Sequence, residues 1–314
     1  VQARVPTSVM LTRVFFVSES TGWAVGHDGN ILLSHDGGVT WTLQRDGISD
    51  QVGINEEHVA RARGKLGELE QQLATSSPGS SPEREEELLT RLDEARSALE
   101  TALEVMAEPV YAPPLMDIWF ASEEQGWAAG AFGTLLRTSN GGRSWADSSY
   151  SLQNPEELHL NGVTGDASGT LYLSSEWGYV FRSTSSGESW DAMETGFEGS
   201  YFGILVNPAS GSVFAYGLLG TIYRSTDRGQ TWEQLDARTG DSLFSAASAA
   251  DGTLVFVGEN GTAVLTDDDG DSFSVVDTGT AHGLYGVTAH GEGLFVATGQ
   301  GGSVLLPGTP KTGR

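Results

Sequence analysis

One eight-residue string recurs along the chain and limits its possible folds more than any other feature. It first appears as SHDGGVTW at residues 34–41, and related strings end at Trp145, Trp190, Trp232 and Phe273. Successive end points from Trp145 onward are 45, 42 and 41 residues apart, whereas Trp41 and Trp145 are 104 residues apart. A fixed period of about 40 residues is typical of a repeat architecture built from supersecondary units. The first interval therefore contains one period plus an insertion.

A second marker, a two-residue tip flanked by small residues, lies in every unit. It occurs at residues 26–29, 130–133, 175–178, 217–220, 258–261 and 299–302, and glycine flanks the tip on both sides in all but the third copy. Glycine adopts positive φ at little cost, as tight hairpins require. Short apolar stretches surround each turn, so each unit is interpreted as four strands. The sequence thus predicts an all-β fold, a six-bladed β-propeller.

The last unit contains only three such stretches before Pro307. Closing a propeller removes an exposed sheet edge and ties the chain ends together. We therefore expect residues 2–9 to supply the fourth, outer strand of the sixth blade.

The repeated string resembles the Asp-box, or BNR, repeat, and GWAVGHDGNILLSHDGGVTW is similar to photosystem II stability and assembly factor-like propellers. The chain departs from the seven-bladed photosynthetic members in its six units and its insertion. For a non-photosynthetic member, the resemblance implies an extracytoplasmic partner of RND-superfamily exporters. A photosystem II assembly factor is the alternative that the resemblance leaves open.

The repeated strings are interpreted as structural. An Asp or Asn side chain accepts backbone N–H groups across the turn, and the Trp fills the space between strands. Asn140 replaces the carboxylate in one copy, which a catalytic carboxylate would not tolerate. The residues assigned this role are Asp36, Trp41, Asn140, Trp145, Trp190, Asp227 and Trp232.

Three arginines at one position of consecutive units, Arg137, Arg182 and Arg224, offer an enzymatic alternative. Sialidases also carry Asp-boxes and bind a substrate carboxylate through three arginines, so a sialidase-like glycosidase or glycan-binding propeller stays open. The competing interpretation pairs these arginines with nearby acids. The run of carboxylates at residues 267–271, DDDGD, is compatible with a calcium site. Because the run coincides with the fifth repeated string, it is interpreted as an acidic surface turn. We expect no catalytic residue, metal or cofactor.

Residues 47–114 interrupt the repeat and separate two propeller segments, 1–46 and 115–314. Apolar residues recur at intervals of three and four through residues 59–73 and 88–106, which predicts two antiparallel helices that form a coiled-coil arm. Asn55 is the expected N-cap of the first helix.

Strands alternate in direction, so the arm should leave the propeller on the face that carries the two-residue tips. Several tips are apolar, and exposed apolar groups mark interfaces. The expected partner-binding residues are Phe132, Trp177, Leu218, Leu219, His27, Asp28, Tyr201 and Phe202.

The chain has 17 basic and 42 acidic residues, a net charge of −25, which disfavours nucleic-acid binding. No apolar run reaches the roughly 20 residues that span a bilayer, so direct membrane insertion is not expected. The chain begins at Val1, and we expect a removed signal sequence and a periplasmic or other extracytoplasmic location. The leading hypothesis is a non-catalytic scaffold that docks on a membrane protein complex, an RND-type exporter, through the arm-bearing face.

Overall fold

The computed structural model describes residues 3–75, 82–290 and 293–308, which form six antiparallel sheets. Blade one contains β1 (Leu11–Phe16), β2 (Gly22–Gly26), β3 (Ile31–Ser34) and β4 (Thr42–Arg45). Blade two contains β5 (Leu115–Phe120), β6 (Gly126–Gly130), β7 (Leu135–Thr138) and β8 (Ala146–Asp147). Blade three contains β9 (Leu160–Gly165), β10 (Leu171–Ser175), β11 (Tyr179–Ser183) and β12 (Asp191–Glu194).

Blades four to six continue the same strand order. Blade four contains β13 (Tyr201–Val206), β14 (Val213–Gly217), β15 (Ile222–Ser225) and β16 (Glu233–Leu235). Blade five contains β17 (Leu243–Ser248), β18 (Leu254–Gly258), β19 (Ala263–Thr266) and β20 (Ser274–Val275). Blade six contains β21 (Leu284–Ala289), β22 (Leu294–Gly299) and β23 (Gly302–Pro307). The prediction of six propeller blades is confirmed.

The second strand of each of the first five blades is buried along its whole length. Its apolar side chains point to both faces of the sheet, because successive residues of a strand alternate in direction. At five of the six boundaries these side chains pack on a neighbouring blade, as where Trp23 of β2 stacks on Phe120 of β5 with ring centroids 3.5 Å apart. Further apolar clusters fill the next four boundaries, from blades two and three to blades five and six.

The boundary between blade six and blade one differs from these five. Among the described residues, no apolar cluster joins the two blades. Val14 of β1 is 48% exposed, whereas Ile118, at the same register position of β5, is 1% exposed against blade one. On the other side of the boundary, Leu305 of β23 is also exposed. The sixth interface is therefore open on its apolar faces.

The expected strand closure by residues 2–9 is wrong. The Arg4 N–H donates to the Val39 carbonyl at 2.9 Å, and the Trp41 N–H donates to the Arg4 carbonyl at 2.9 Å. These bonds place the N-terminal segment beside the repeated string of blade one, as an isolated parallel bridge to Thr40, and not beside β23. Gln2 lies outside the described residues. The sheet of blade six has three strands in the described chain.

A polar network at the axis connects all six blades. The Arg13 guanidinium of blade one lies 3.0 Å from an Asp117 carboxylate oxygen of blade two, and Asp117 also accepts the Val163 N–H of blade three at 2.9 Å. Arg13 also donates to the Ser245 hydroxyl of blade five at 3.4 Å, and this hydroxyl accepts the Val287 N–H of blade six at 3.3 Å. In blade four, burial raises the pKa of Tyr216 to about 12, and nearby Arg13 opposes that rise.

The insertion forms two antiparallel helices, α1 (Gly47–Ala74) and α2 (Pro82–Ala107), as predicted for this architecture. The expected N-cap is wrong. Asp46 caps α1, with its carboxylate accepting the Ile48 and Ser49 N–H groups, and Asn55 lies inside the helix. The eight residues before Asn55 lack a strong apolar period, so capping chemistry at Asp46 starts the helix earlier. Neither helix in the described chain has both the length and the apolar character of a bilayer-spanning segment.

We predict that Arg13→Met lowers the free energy of unfolding by about 3 kcal/mol, because it leaves the Asp117 carboxylate buried without a cation. The double variant Arg13→Met/Asp117→Asn should regain most of this loss, since the amide is neutral. Urea denaturation followed by tryptophan fluorescence measures both. Equal destabilisation of the single and double variants would show that the unpaired carboxylate is not the cause.

Candidate interaction surface

The two-residue tips share one backbone conformation. The second tip residue lies in the left-handed region in five blades, with φ of 56° at Asp28, 55° at Phe132, 53° at Trp177, 56° at Leu219 and 54° at Asn260. Asp and Asn adopt this region more readily than other residues with a Cβ, because their short polar side chains bond locally. Phe, Trp and Leu have no such compensation. Blades two, three and four therefore keep large apolar side chains at strained positions.

The glycine after the tip residue is required by space as well as by φ. A Cβ at Gly178, where φ is 73°, would lie 2.0 Å from the Phe197 carbonyl oxygen. A side chain at this glycine of blade three would therefore displace the backbone of Phe197.

The apolar tip side chains are exposed. Phe132 is 50% exposed, Trp177 64% and Leu219 68%. Phe132 makes edge-on ring contacts with Tyr111, 6.4 Å away in the segment after α2, and with His159, 5.0 Å away. We call Tyr111, Phe132, His159, Trp177 and Leu219 the tip patch.

The tip patch is built on rigid elements. The His159 N–H donates to the Glu176 carboxylate at 3.0 Å, and the Ser175 hydroxyl donates to the His159 carbonyl at 2.7 Å. His159 thus bridges the tips of blades two and three. The sequence interpretation missed Tyr111 and His159, because neither lies in a repeated motif.

The arm begins at the tip of blade one. The Arg45 guanidinium donates to the Gly29 carbonyl at 2.7 Å, and a Cβ at Gly47, the first residue of α1, would lie 2.6 Å from the Asp28 carbonyl. His27 and Asp28 are exposed there. The arm and the tips therefore lie on one face of the propeller.

Tyr201 does not belong to the exposed surface, contrary to expectation. It is fully buried in the boundary between blades three and four, and its hydroxyl lies 2.6 Å from that of Thr195. It is the first residue of β13, a position that is buried between blades in the inner strands of blades two to six. Leu218 is half-buried, whereas the neighbouring Leu219 is exposed.

Phe202, the next residue, belongs to an aromatic row on the inner strands of blades four to six. Its ring centroid lies 5.8 Å from that of Phe244, which lies 5.3 Å from that of Tyr285. All three are the second residues of their strands, close to the tip face. The row is half-buried at Phe202 and Phe244 and exposed at Tyr285. Phe244 was missed because the sequence interpretation compared tips and not inner strands.

The repeated strings form a conserved hydrogen-bond geometry within the chain. Asp36 accepts the Thr40 N–H at 2.8 Å and the Thr40 hydroxyl at 2.6 Å, and the Ser34 hydroxyl accepts the Gly38 N–H at 2.9 Å. Asp227 makes the same bonds with Thr231, at 2.8 and 2.6 Å. Asn140 and Ser185 retain the bond to the backbone N–H four residues later, at 3.0 Å each.

The four tryptophans of these strings differ in exposure and in bonding. Trp190 is buried, whereas Trp41, Trp145 and Trp232 are partly buried. The Trp41 indole N–H donates to the Gly38 carbonyl at 3.0 Å. The strings therefore hold the turn between the third and fourth strands, although the indole N–H groups of Trp145, Trp190 and Trp232 are buried without a partner in the described chain.

The hydrogen bonds of the string act on the carboxylate charge. The Thr40 hydroxyl, followed by the Thr40 N–H, lowers the pKa of Asp36 to about 2. The same two donors of Thr231 lower the pKa of Asp227 to about 2. Both carboxylates remain ionised well below neutral pH.

The three aligned arginines lie at successive blade boundaries. Arg137 pairs with Glu188, and Arg182 lies 3.6 Å from Asp191 and donates to the Arg228 carbonyl at 3.3 Å. Arg224 pairs with Glu233 at 2.7 Å and with Asp271 at 2.8 Å. Each arginine thus contacts the string of the following blade, and each is already paired with an acid.

The acidic run at residues 267–271 is also satisfied by protein donors. Asp269 accepts from the Asn207 amide at 2.8 Å and from the hydroxyls of Ser210 and Ser212 at 2.7 and 2.5 Å. Asp271 pairs with Arg224. Within the described ranges, no group of three or more His, Asp or Glu residues is arranged to hold a metal ion.

The family profile of photosynthesis system II assembly factor YCF48 matches residues 97–311, more than half of the chain. The chain belongs to this family. A segment of 31 residues is 58% identical to photosystem II stability/assembly factor HCF136 of Arabidopsis thaliana chloroplasts and covers 10% of this chain and 8% of that protein. A segment of 86 residues is 31% identical to photosystem II assembly lipoprotein Ycf48 of Synechococcus sp. (strain CC9902). It covers 27% of this chain and 25% of that protein. The chain thus matches a quarter or less of either curated relative.

A solved YCF48 structure with a bound D1 peptide superposes with a TM-score of 0.61 at 16% identity. The superposition covers 98% of this chain and 81% of the YCF48 chain. At 16% identity, this similarity shows that the two chains share the propeller fold. The relatives described above are assembly factors and not enzymes.

Acid stability should depend on the strings. The pKa values of Asp36 and Asp227 are near 2 when folded and near 3.9 when unfolded, so their stabilisation is present above about pH 4 and is lost as the pH falls through about 2. We predict that the free energy of unfolding falls less in the double variant Asp36→Asn/Asp227→Asn than in the parent chain as the pH is lowered from about 4 to about 2, because the variant lacks the two carboxylates that become protonated. Urea midpoints at several pH values measure this, and parallel profiles would contradict it.

Strain at the tips should be measurable. We predict that Leu219→Asn raises the unfolding free energy by about 1 kcal/mol, because Asn adopts the left-handed region more easily and the Leu side chain buries little area. Leu218→Asn is the matched control, since Leu218 has no positive φ and is half-buried, and it should lower stability. A thermal melt of Leu219→Asn that is unchanged or lower would show that the tip is unstrained.

Proposed function

We propose that this chain is a non-catalytic assembly factor that binds a segment of an integral membrane protein through the tip patch. The observation that carries the proposal is the row of exposed apolar side chains at strained tip positions. An exposed Trp or Phe gains nothing for folding in a backbone conformation that disfavours it. Binding is the function that retains such residues, because aromatic anchors contribute most of the affinity at interfaces.

The partner class follows from the family. One family member is solved with a D1 peptide, and two relatives are named as photosystem II assembly factors. A photosystem II protein is therefore the first candidate partner. The RND-type exporter expected from the sequence gains no support from these relatives, although it shares the coarser property of being a membrane protein.

We further propose that the chain acts outside the cytoplasm. A relative is named as a lipoprotein, a class that is held at a membrane by its lipid. A propeller tethered in this way would meet the exposed segments of its partner at the membrane surface.

The glycosidase alternative is weaker than the binding function. Its three arginines lie at different blade boundaries, and acids pair with all of them. A paired guanidinium would have to lose its carboxylate before it could bind a substrate carboxylate.

The test uses the full chain, immobilised and incubated with detergent-solubilised membranes of the source organism, in parallel with anisotropy measurements on a labelled D1 peptide. We expect capture of an integral membrane protein. The variants Phe132→Asp and Trp177→Asp should each weaken binding by about tenfold or more, because truncating an aromatic anchor has that cost.

The matched control is Val275→Asp, in β20, where the side chain is 65% exposed and lies outside the tip patch. It should leave binding unchanged. Capture that is equally strong with all three variants would overturn the proposed surface. Failure of the D1 peptide to bind, with capture of another membrane protein intact, would remove photosystem II as the partner.

A further inference from the structure

The two helices of the arm pack closely only over part of their length. Leu69, Leu92 and Ala95 form a buried cluster with Leu66 and Leu88, toward the end of the arm that is remote from the propeller. Nearer the propeller, the helices leave an open groove of about 550 Å³ between them. The arm is therefore incompletely packed on that side.

The walls of this groove are apolar and small. Ala62 contributes from α1, and Ala95, Ala98, Ala102 and the exposed Val105 contribute from α2. Small side chains on two neighbouring helices let a third helix approach closely and insert its larger residues. The shape is thus suited to a helix and not to a flat surface.

The side chains that carry charge along the groove are the cations Arg61 and Lys65. His58, Arg61 and Lys65 lie on one face of α1 at intervals of three and four, and no Asp or Glu lines the groove. Among the described residues, Arg61 and Lys65 form no ion pair. Unpaired cations beside an apolar groove are unusual in a chain whose net charge is −25.

The opposite side of the helix pair provides an internal comparison. A second groove there is lined by Glu100 and Glu104, and its Arg96 pairs with Glu70 and with Asp93. Its charges are mixed and partly neutralised within the arm. The unpaired cationic rim is therefore specific to the first groove.

A buried polar side chain also lines the first groove. Asn55 is 7% exposed, and its side-chain oxygen accepts from the Gln51 amide at 3.0 Å. Its Nδ2 group donates to no acceptor in the part of the chain that the structure describes. This amide N–H₂ group is not fully buried, so an acceptor on a ligand in the groove can reach it.

We propose that this groove binds an amphipathic α-helix of a partner protein. Its apolar residues fill the alanine-walled groove, its acidic side chains pair with Arg61 and Lys65, and one of its polar groups accepts from Asn55. An anionic membrane is disfavoured by the net charge of the chain, which repels lipid headgroups. The proposal is independent of the tip patch, because it rests on different residues.

The test uses two labelled amphipathic peptides of about 20 residues, long enough to follow the groove. They share their apolar face and carry either Glu or Lys beside it. Anisotropy titration with the full chain should show that the Glu peptide binds about tenfold more tightly than the Lys peptide, with an affinity that falls as salt is added.

Two exposed residues of α1 give a matched pair. Arg61→Glu should weaken binding of the Glu peptide by about tenfold, whereas Arg63→Glu, which makes the same charge change outside the groove, should change it less than about twofold. Ala98→Trp fills the groove and should abolish binding while circular dichroism retains the helical signal. Failure of these variants would leave the tip-patch proposal untouched, because its test uses Phe132 and Trp177.

Any one of five results would overturn the proposal. The first is that the two peptides bind equally, and the second is that neither binds. The third is that Arg61→Glu and Arg63→Glu weaken binding equally, which would show that only net charge matters. Light scattering reveals a dimer that Arg61→Glu dissociates, so that a second copy occupies the groove. The chain sediments with anionic vesicles and Arg61→Glu abolishes this, so that a membrane occupies it.

Discussion

The fold depends on one guanidinium at the propeller axis. Arg13 of blade one reaches blades two and five, and the acceptors that it reaches also bind backbone N–H groups of blades three and six. Five boundaries are held by apolar packing, which is non-directional. The boundary between blades six and one lacks such packing among the described residues, and the axial connection from blade one to blade six passes through Ser245 of blade five. A buried ion pair often gives little net stability, and here Arg13 and Asp117 join the neighbouring blades one and two.

The architecture could be predicted because the information for it is local and repeated. An Asp or Asn two residues after a Ser or Thr, followed by Gly and Trp, closes the same turn wherever it occurs, as Asp36 and Asp227 do. Small residues flanking a two-residue tip select one hairpin. Six copies of a local rule fix six blades without any long-range information.

What could not be predicted depends on contacts between distant residues. Arg13 and Asp117 lie in different units, and nothing in either sequence neighbourhood indicates that they pair. Tyr201 resembles a surface aromatic in sequence, yet its place at the start of an inner strand buries it. The backbone of Arg4 forms a bridge with Thr40 of blade one and does not pair with blade six. The sequence indicates that the N-terminal segment can pair with a strand edge, but it does not indicate which edge. The exposed Phe132, Trp177 and Leu219 were predictable, since tip position alone decides their exposure.

The open boundary between blades six and one makes the molecule a bent linear array more than a sealed ring. In such an array, each blade draws its stability from its immediate neighbours, and the two end blades share an apolar cluster with a neighbour on one side only. A whole blade can then be gained or lost at that boundary without dismantling an existing apolar core. Blade number is thereby a quantity that this architecture can change by duplication at a single place.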